Sequence, residues 1–197
     1  GRSHQKLHFG GHLGNRFTIT VRGCADEDGK PLDAKEAIAR VNTIFDAMEK
    51  RLGNGRFPNW IGPQRFGASR PVTPVVGRAV VNDDWESAVN EYLGMPGLHQ
   101  PEEVETFRTM WRETKDVEKC IEIVPKNLGF ERDLLNHLNK RSDDWVGAFR
   151  KLPNSLQIMM VHSLQSQVFN RIVAARLDAG LTLTAPEEGD IVGIVQD

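Results

Sequence analysis

Only two cysteines occur in the 197 residues, Cys24 and Cys120, and no CxxC spacing. That excludes a disulfide-stapled secreted scaffold and fits a reduced, cytoplasmic setting. No apolar run approaches the roughly 18 residues of a membrane span, and the first residues do not read as a secretory leader. Low-complexity tracts and internal repeats are missing. So are GxGxxG, Walker, GxSxG and HExxH patterns, which leaves the usual nucleotide-binding and hydrolase readings with nothing to rest on.

What is present is ordinary globular composition, 39% apolar and 26% charged. The formal charge of -2 conceals an asymmetry: residues 1–80 carry a net +6 and residues 81–197 a net -8. A basic front and an acidic back fit a polyanion contact made by one part of the chain, or a solvated surface. The chain starts at Gly1 and stops within the apolar run "DIVGIVQD", which reads as a piece of something longer.

In "NRFTITVRG", Phe17, Ile19 and Val21 alternate with Thr18, Thr20 and Arg22, the pattern of a half-buried strand. After the turn-rich "ADEDGKPL", Asp33 and Glu36 have capping-box spacing. Ile38, Val41, Ile44, Phe45, Met48 and Leu52 then share a helical face that ends at Gly53. The front is thus expected to be α+β. Downstream of Pro74 the texture turns helical: "DDWESAVNEYLG", "PEEVETFRTMWRET", "DVEKCIEIV", "FERDLLNHLN", "DDWVGAFRKL" and a long helix from about Ser155 to Asp178. Met159, Val161, His162, Leu164, Gln165, Val168, Phe169, Ile172 and Val173 are expected to form the inward stripe of that long helix, with Asn170 and Arg176 as surface or interdomain contacts. "GLTLTAPEEGDIVGIVQ" closes with β-like alternation.

Among candidate sites, His4, His8 and His12 have the i, i+4, i+8 spacing of metal ligands on a helix, but Gly10, Gly11 and Gly14 oppose helix there, and no metal is expected. Asp83-Asp84 and Asp143-Asp144 precede helical runs and read as N-caps. The stretch "FPNWIGPQRFGASRP", residues 57–71, differs in kind. Its apolar positions follow neither a helical nor a strand period. It sets Phe57, Trp60 and Phe66 beside Asn59, Gln64, Arg65 and Arg70. Amides and guanidinium groups can hold a base edge or a phosphate, and Gly62 and Gly67 permit close ligand approach. An aromatic beside such donors suits a pocket for an unstacked base. A loop whose aromatics plug the core is the alternative, and the residues alone leave both open.

"PNWIGPQRFG" resembles the "PNxFGxQRFG" signature of TruD-type pseudouridine synthases, followed as in the archaeal-like branch by "RPVTPVVGRAV". "KLHFGGHLGNRFTITVRG" is similar to the upstream family strand, and "LPNSLQIMMVHSLQSQVFNRIVAARLDAGLTL" to a downstream block. The resemblance implies an α+β fold: residues 1–80 form part of the catalytic domain, a mixed or antiparallel sheet with flanking helices. Residues 81–197 then belong to a largely helical, TruD-specific inserted domain.

The implied activity is isomerisation of uridine to pseudouridine in RNA, with uridine-13 of transfer RNA as substrate and no cofactor, metal or membrane involved. A flipped base meets a nucleophilic aspartate, whose covalent capture divides one hard step into easier ones. Asn59 matches the supporting asparagine of the active site, and Gly62, Gln64, Arg65, Phe66 and Gly67 match the rest of the signature. Together with Trp60, Ile61 and Arg70 these form the expected substrate-binding set. Ile61 stands where the family usually has a stacking phenylalanine, a contact worth about 1–3 kcal/mol per base.

The motif with the catalytic aspartate is expected upstream of Gly1. Asp116 in "TKDVEKC" lacks its context and reads as a helix cap. The 197 residues by themselves are therefore expected to be inactive. A non-catalytic RNA-binding or interaction module that has lost the nucleophile is the alternative.

Overall fold

Helix is what this sequence makes wherever its caps and apolar spacing agree. The computed structural model describes residues 16–53 and 56–191. The chain divides into two units, Gly1–Phe57 and Pro58–Asp197.

In the first unit, helix α1 spans Ala34–Leu52. Asp33 and Glu36 close the full capping box: the Asp33 carboxylate accepts from the Glu36 N–H at 2.8 Å, and the Glu36 carboxylate accepts from the Asp33 N–H at 3.0 Å. Such a cap contributes about 1 kcal/mol. Gly53, at φ 90°, ends the helix in a conformation that a side chain resists. The face predicted to be apolar exists, but Ile38, Val41, Ile44 and Phe45 on it are exposed. Ile38, Val41 and Ile44 edge a groove of about 590 Å³ shared with Val21, Cys24 and Leu32.

The expected sheet is not there. Among the described residues no strand forms, and one isolated antiparallel bridge, Ala25 to Pro31, is the nearest approach. The alternation in 16–22 is real, yet Phe17, Ile19 and Val21 are exposed and none of the described residues pairs with them in a ladder. A strand is a pairing between segments, so a period of two without a partner's N–H and C=O groups does not produce one. The α+β assignment is corrected accordingly: the described residues are helices joined by irregular segments. The alternation around "GLTLTAPEEG" also yields no strand as far as residue 191, and its last residues lie outside those described. The His4, His8, His12 spacing falls outside them too.

In the second unit, α2 (Thr73–Val81), α3 (Trp85–Gly94), α4 (Glu102–Thr114), α5 (Val117–Ile123), α6 (Gly129–Lys140), α7 (Trp145–Phe149) and α8 (Asn154–Asp178) surround one core. Val76, Leu93, Phe107, Trp111, Leu134, Leu135, Phe149 and Met160 are among its buried residues. The acids before α3, α5 and α7 are N-caps: Asp84, Asp116 and Asp144 accept from the N–H groups of Ser87, Lys119 and Gly147 at 2.8–3.0 Å. Asp116 also pairs with Lys119 at 2.8 Å.

Helix α8 turns a partly different face inward from the one its large apolar residues suggest. Of the expected stripe Val173 is buried and Met159, Val161 and Leu164 are half-buried, whereas His162, Gln165, Val168, Phe169 and Ile172 are exposed; Met160, Ser163 and Ser166 are buried instead. The reason is its close crossing with α2. A Cβ at Gly77 would stand 2.1 Å from the Met160 carbonyl oxygen, so this contact admits only small residues. Thr73 and Ser163 share a 2.8 Å buried hydrogen bond across it. The inward side thus combines apolar Met160 and Val173 with the small Ser163 and Ser166 that the crossing admits.

Candidate functional site

The stretch from Pro58 to Pro71 is an irregular loop with a 3-10 turn at Pro63–Phe66, and its backbone is held from both flanks. On one side Asn170 of α8 meets Ile61: the Ile61 N–H donates to Asn170 Oδ1 and Asn170 Nδ2 donates to the Ile61 carbonyl, each at 2.9 Å. Further along, the Thr73 hydroxyl donates to the Arg65 carbonyl at 3.2 Å while bonded to Ser163. The Leu98 N–H donates to the Ser69 carbonyl at 2.6 Å, tying the loop's end to the α3–α4 connection.

Gly67 makes the closing turn possible. Its φ is 86°, its carbonyl accepts from the Arg70 N–H at 3.0 Å, and a Cβ there would lie 2.3 Å from the Arg70 carbonyl oxygen. Only glycine fits that combination without strain. Gly62 differs: its φ of -72° is ordinary and a Cβ would meet open space.

This scaffold leaves Asn59, Trp60, Gln64 and Arg65 exposed on one loop. Ile61 and Phe66 are half-buried. Phe66 lines a groove of about 540 Å³ with Pro71, Val75, Met95, Gln167, Asn170 and Arg171 among its other walls. That volume is in the range of small-molecule sites, and its apolar walls carry a few polar groups, as such sites do. The 590 Å³ groove of the first unit is likewise mostly apolar, with Arg22, Asp33 and Arg40 among its walls.

Arg70 points elsewhere. Its guanidinium donates to the carbonyls of Met95 (2.9 Å), Tyr92 and Glu91, lies 5.6 Å from the centre of the Tyr92 ring, and stands 3.8 Å from Glu131. Burial, aided by the neighbouring Arg108, lowers its pKa to about 10, which leaves it charged at neutral pH. Arg108 completes the cluster, bonding Glu131 at 2.9 Å and the Leu93 carbonyl at 2.8 Å. One buried carboxylate thus serves two guanidinium groups, which also donate to carbonyls at the end of α3 and, from Arg108 Nε, to Gln100 Oε1 at 3.1 Å. Breaking such a cluster costs far more than making it gains, about 3–5 kcal/mol. Arg70 joins the loop to the helical body.

Reading the sequence missed the groups that hold the loop. Asn170 is not a bare surface residue, and Arg176 pairs within its own unit, with Asp190 at 2.6 Å and the Thr182 carbonyl at 2.8 Å. Asn170 lies 109 residues from Ile61, a separation that no local pattern spans. Its one signal was position: a polar residue placed three before buried Val173, on the buried side of α8.

A family model described as tRNA pseudouridine synthase D (TruD) matches residues 1–197. The chain belongs to the TruD family. A relative named "Probable tRNA pseudouridine synthase D" from Methanosarcina acetivorans is 37% identical over 192 residues, which is 98% of this chain and 42% of the relative. One of the same name from Methanopyrus kandleri is 38% identical over 192 residues, 97% of this chain and 44% of its own length. A crystal structure from Methanosarcina mazei, named for tRNA pseudouridine synthase D (TruD), superposes with a TM-score of 0.72 at 37% identity, covering 79% of this chain and 35% of that one. The chain spans about two fifths of the length of the curated relatives it matches. The stretch that resembles the TruD signature sits on the clamped loop, and Gly67 is its residue whose backbone demands glycine.

Proposed function

We propose that the intact protein carrying this chain converts uridine to pseudouridine in transfer RNA, at position 13. The observation that carries this reading is the loop itself: a family signature whose Asn59, Trp60, Gln64 and Arg65 are held out from an otherwise braced backbone. Exposed donors on a fixed backbone are what an everted nucleoside requires, because the base gives up its stacking and pairing on leaving the helix.

In this reading Asn59 hydrogen-bonds the nucleoside and helps order the reacting centre. Trp60 and Ile61 offer apolar faces to the uracil, Gln64 a base-edge contact, and Arg65 a partner for phosphate oxygens. Gly62 lets the chain pass close to the ligand, while Phe66 and Arg70 brace the loop from behind. The nucleophilic aspartate comes from sequence upstream of Gly1. Its carboxylate captures the ribose carbon as the N-glycosidic bond breaks, the uracil turns, and its C5 bonds to that carbon as the carboxylate leaves; the C5 proton departs and the freed ring nitrogen takes one up. Substrate and product are isomers, so no cofactor or metal is required. Residues 1–80 belong to the catalytic domain and residues 81–197 to the helical inserted domain. The work is done in the cytoplasm; among the described residues no helix is long and apolar enough to cross a membrane.

Release of tritium from transfer RNA labelled at uridine C5 tests the reading. The intact protein is expected to release it, and the 197-residue chain alone is expected to release none. An intact protein that binds the RNA yet releases no tritium would leave a non-catalytic binding module in place of the enzyme.

A further inference from the structure

Asn170 and Ile61 form a contact of unusual completeness. A single side chain satisfies both backbone groups of a single residue, accepting from its N–H and donating to its C=O, each at 2.9 Å. No other described group bonds the Ile61 backbone. A carboxamide offers a donor and an acceptor in one rigid plane at neutral pH, and Ile61's own N–H and C=O dictate which way round that amide sits. The carboxamide therefore does what a neighbouring strand would do, for one peptide of a loop that has no strand beside it.

The position of this contact matters. The loop's other ties lie at Arg65, Ser69 and Arg70, towards its C-terminal end. Among the described residues, the segment bearing Asn59 and Trp60 has only a local bond, from the Trp60 N–H to the Pro58 carbonyl at 2.8 Å. Ile61 is where that segment is fastened to a helix. α8 is itself fixed by the close crossing at Gly77 and by the Thr73–Ser163 bond.

We propose that Asn170 is the positioning residue for the segment 59–61: without touching the base, it sets the Ile61 peptide and hence the directions of Asn59, Trp60 and the Ile61 side chain. This rests on the reading of the loop as the nucleoside pocket. A loop with one irregular half untethered samples many orientations, and a misplacement of about 1 Å costs on the order of a hundredfold in rate.

The test uses the intact protein with Asn170→Ala and with Asn170→Asp, which keeps the shape and an acceptor while losing the donor at neutral pH. Amide hydrogen exchange is read at Ile61. In Asn170→Ala it is expected to speed up on the order of tenfold or more, with the amides of α3 and α4 unchanged. Unchanged exchange at Ile61 would overturn the clamp whether or not the protein is an enzyme. In the tritium assay kcat is expected to fall about tenfold to a hundredfold in Asn170→Ala, with KM for the RNA within about twofold. Asn170→Asp is expected to regain activity as the pH is lowered, because the protonated carboxyl donates again. Combined with Asn59→Ala, Asn170→Ala is expected to add little to the single loss, since both act through one loop. A rise in KM at constant kcat, or fully multiplicative losses, would overturn the positioning role. Wild-type protein without activity would refute the functional reading instead, and the exchange measurement would still decide the clamp.

Discussion

Gly77→Ala adds one methyl group where α2 crosses α8. The new Cβ would stand 2.1 Å from the Met160 carbonyl oxygen, 2.7 Å from its carbon and 3.3 Å from the Val161 nitrogen. Ordinary carbon contacts lie at about 3.5–4.0 Å, so the helices must part by on the order of 1 Å. All three atoms belong to the backbone and cannot swing aside. Alanine gains about 1 kcal/mol over glycine in a helix interior. Against this stand an overpacking cost of about 1–3 kcal/mol and the weakening of the buried Thr73–Ser163 bond, worth about 1 kcal/mol. The balance is a net loss of about 1–3 kcal/mol, read as a lower urea midpoint for the transition that includes α2 and α8 in the intact protein. The loop should suffer as well, because Thr73 holds Arg65 and α8 holds Ile61. A midpoint equal to or above wild type would show that the crossing is looser than described and refute the reasoning.

Thr73→Val keeps the shape but leaves the Ser163 hydroxyl without its 2.8 Å partner and releases the Arg65 carbonyl, so a loss of about 1–3 kcal/mol is expected in the same urea experiment. Cys120 is buried, and desolvation pushes its thiol up to about 11; Cys24 is half-buried. A thiol reagent at pH 8 should therefore label Cys24 under native conditions and reach Cys120 only in denaturant. The Asp144 carboxyl is held below its usual range by the His137 ring and the Gly147 N–H. A lowered carboxyl pKa favours folding above the ordinary range, and that contribution disappears as the pH falls through the folded value. The stability difference between wild type and Asp144→Asn should accordingly shrink on acidification below about pH 4.

Capping chemistry was the most legible layer of this sequence. Asp33, Asp84, Asp116 and Asp144 each announce a helix whose start the structure reproduces, because a cap is settled by three or four consecutive residues. Helix α2 was hidden by Pro71 and Pro74, which resemble breakers. Pro74 in fact occupies the first turn, where no N–H is needed. The strand was misjudged because its periodicity is local and its pairing is not. The expected stripe of α8 was only partly right, because small Ser163 and Ser166 share its inward side with Met160 and Val173 where it crosses α2. The loop 57–71 stood out by composition, yet its restraints at Asn170, Thr73 and Ser163 come from sites that only the fold brings near.

The most direct test of the whole account is the turnover of Asn59→Ala in the intact protein on transfer RNA. Asn59 is exposed and bonds none of the described residues, so its removal is expected to leave the melting temperature within about 1 °C, as for a surface substitution. Turnover at uridine-13 should meanwhile fall on the order of tenfold or more, the scale of losing one hydrogen bond at a reacting centre. A variant that forms pseudouridine at the wild-type rate would contradict the assignment of this loop to the nucleoside.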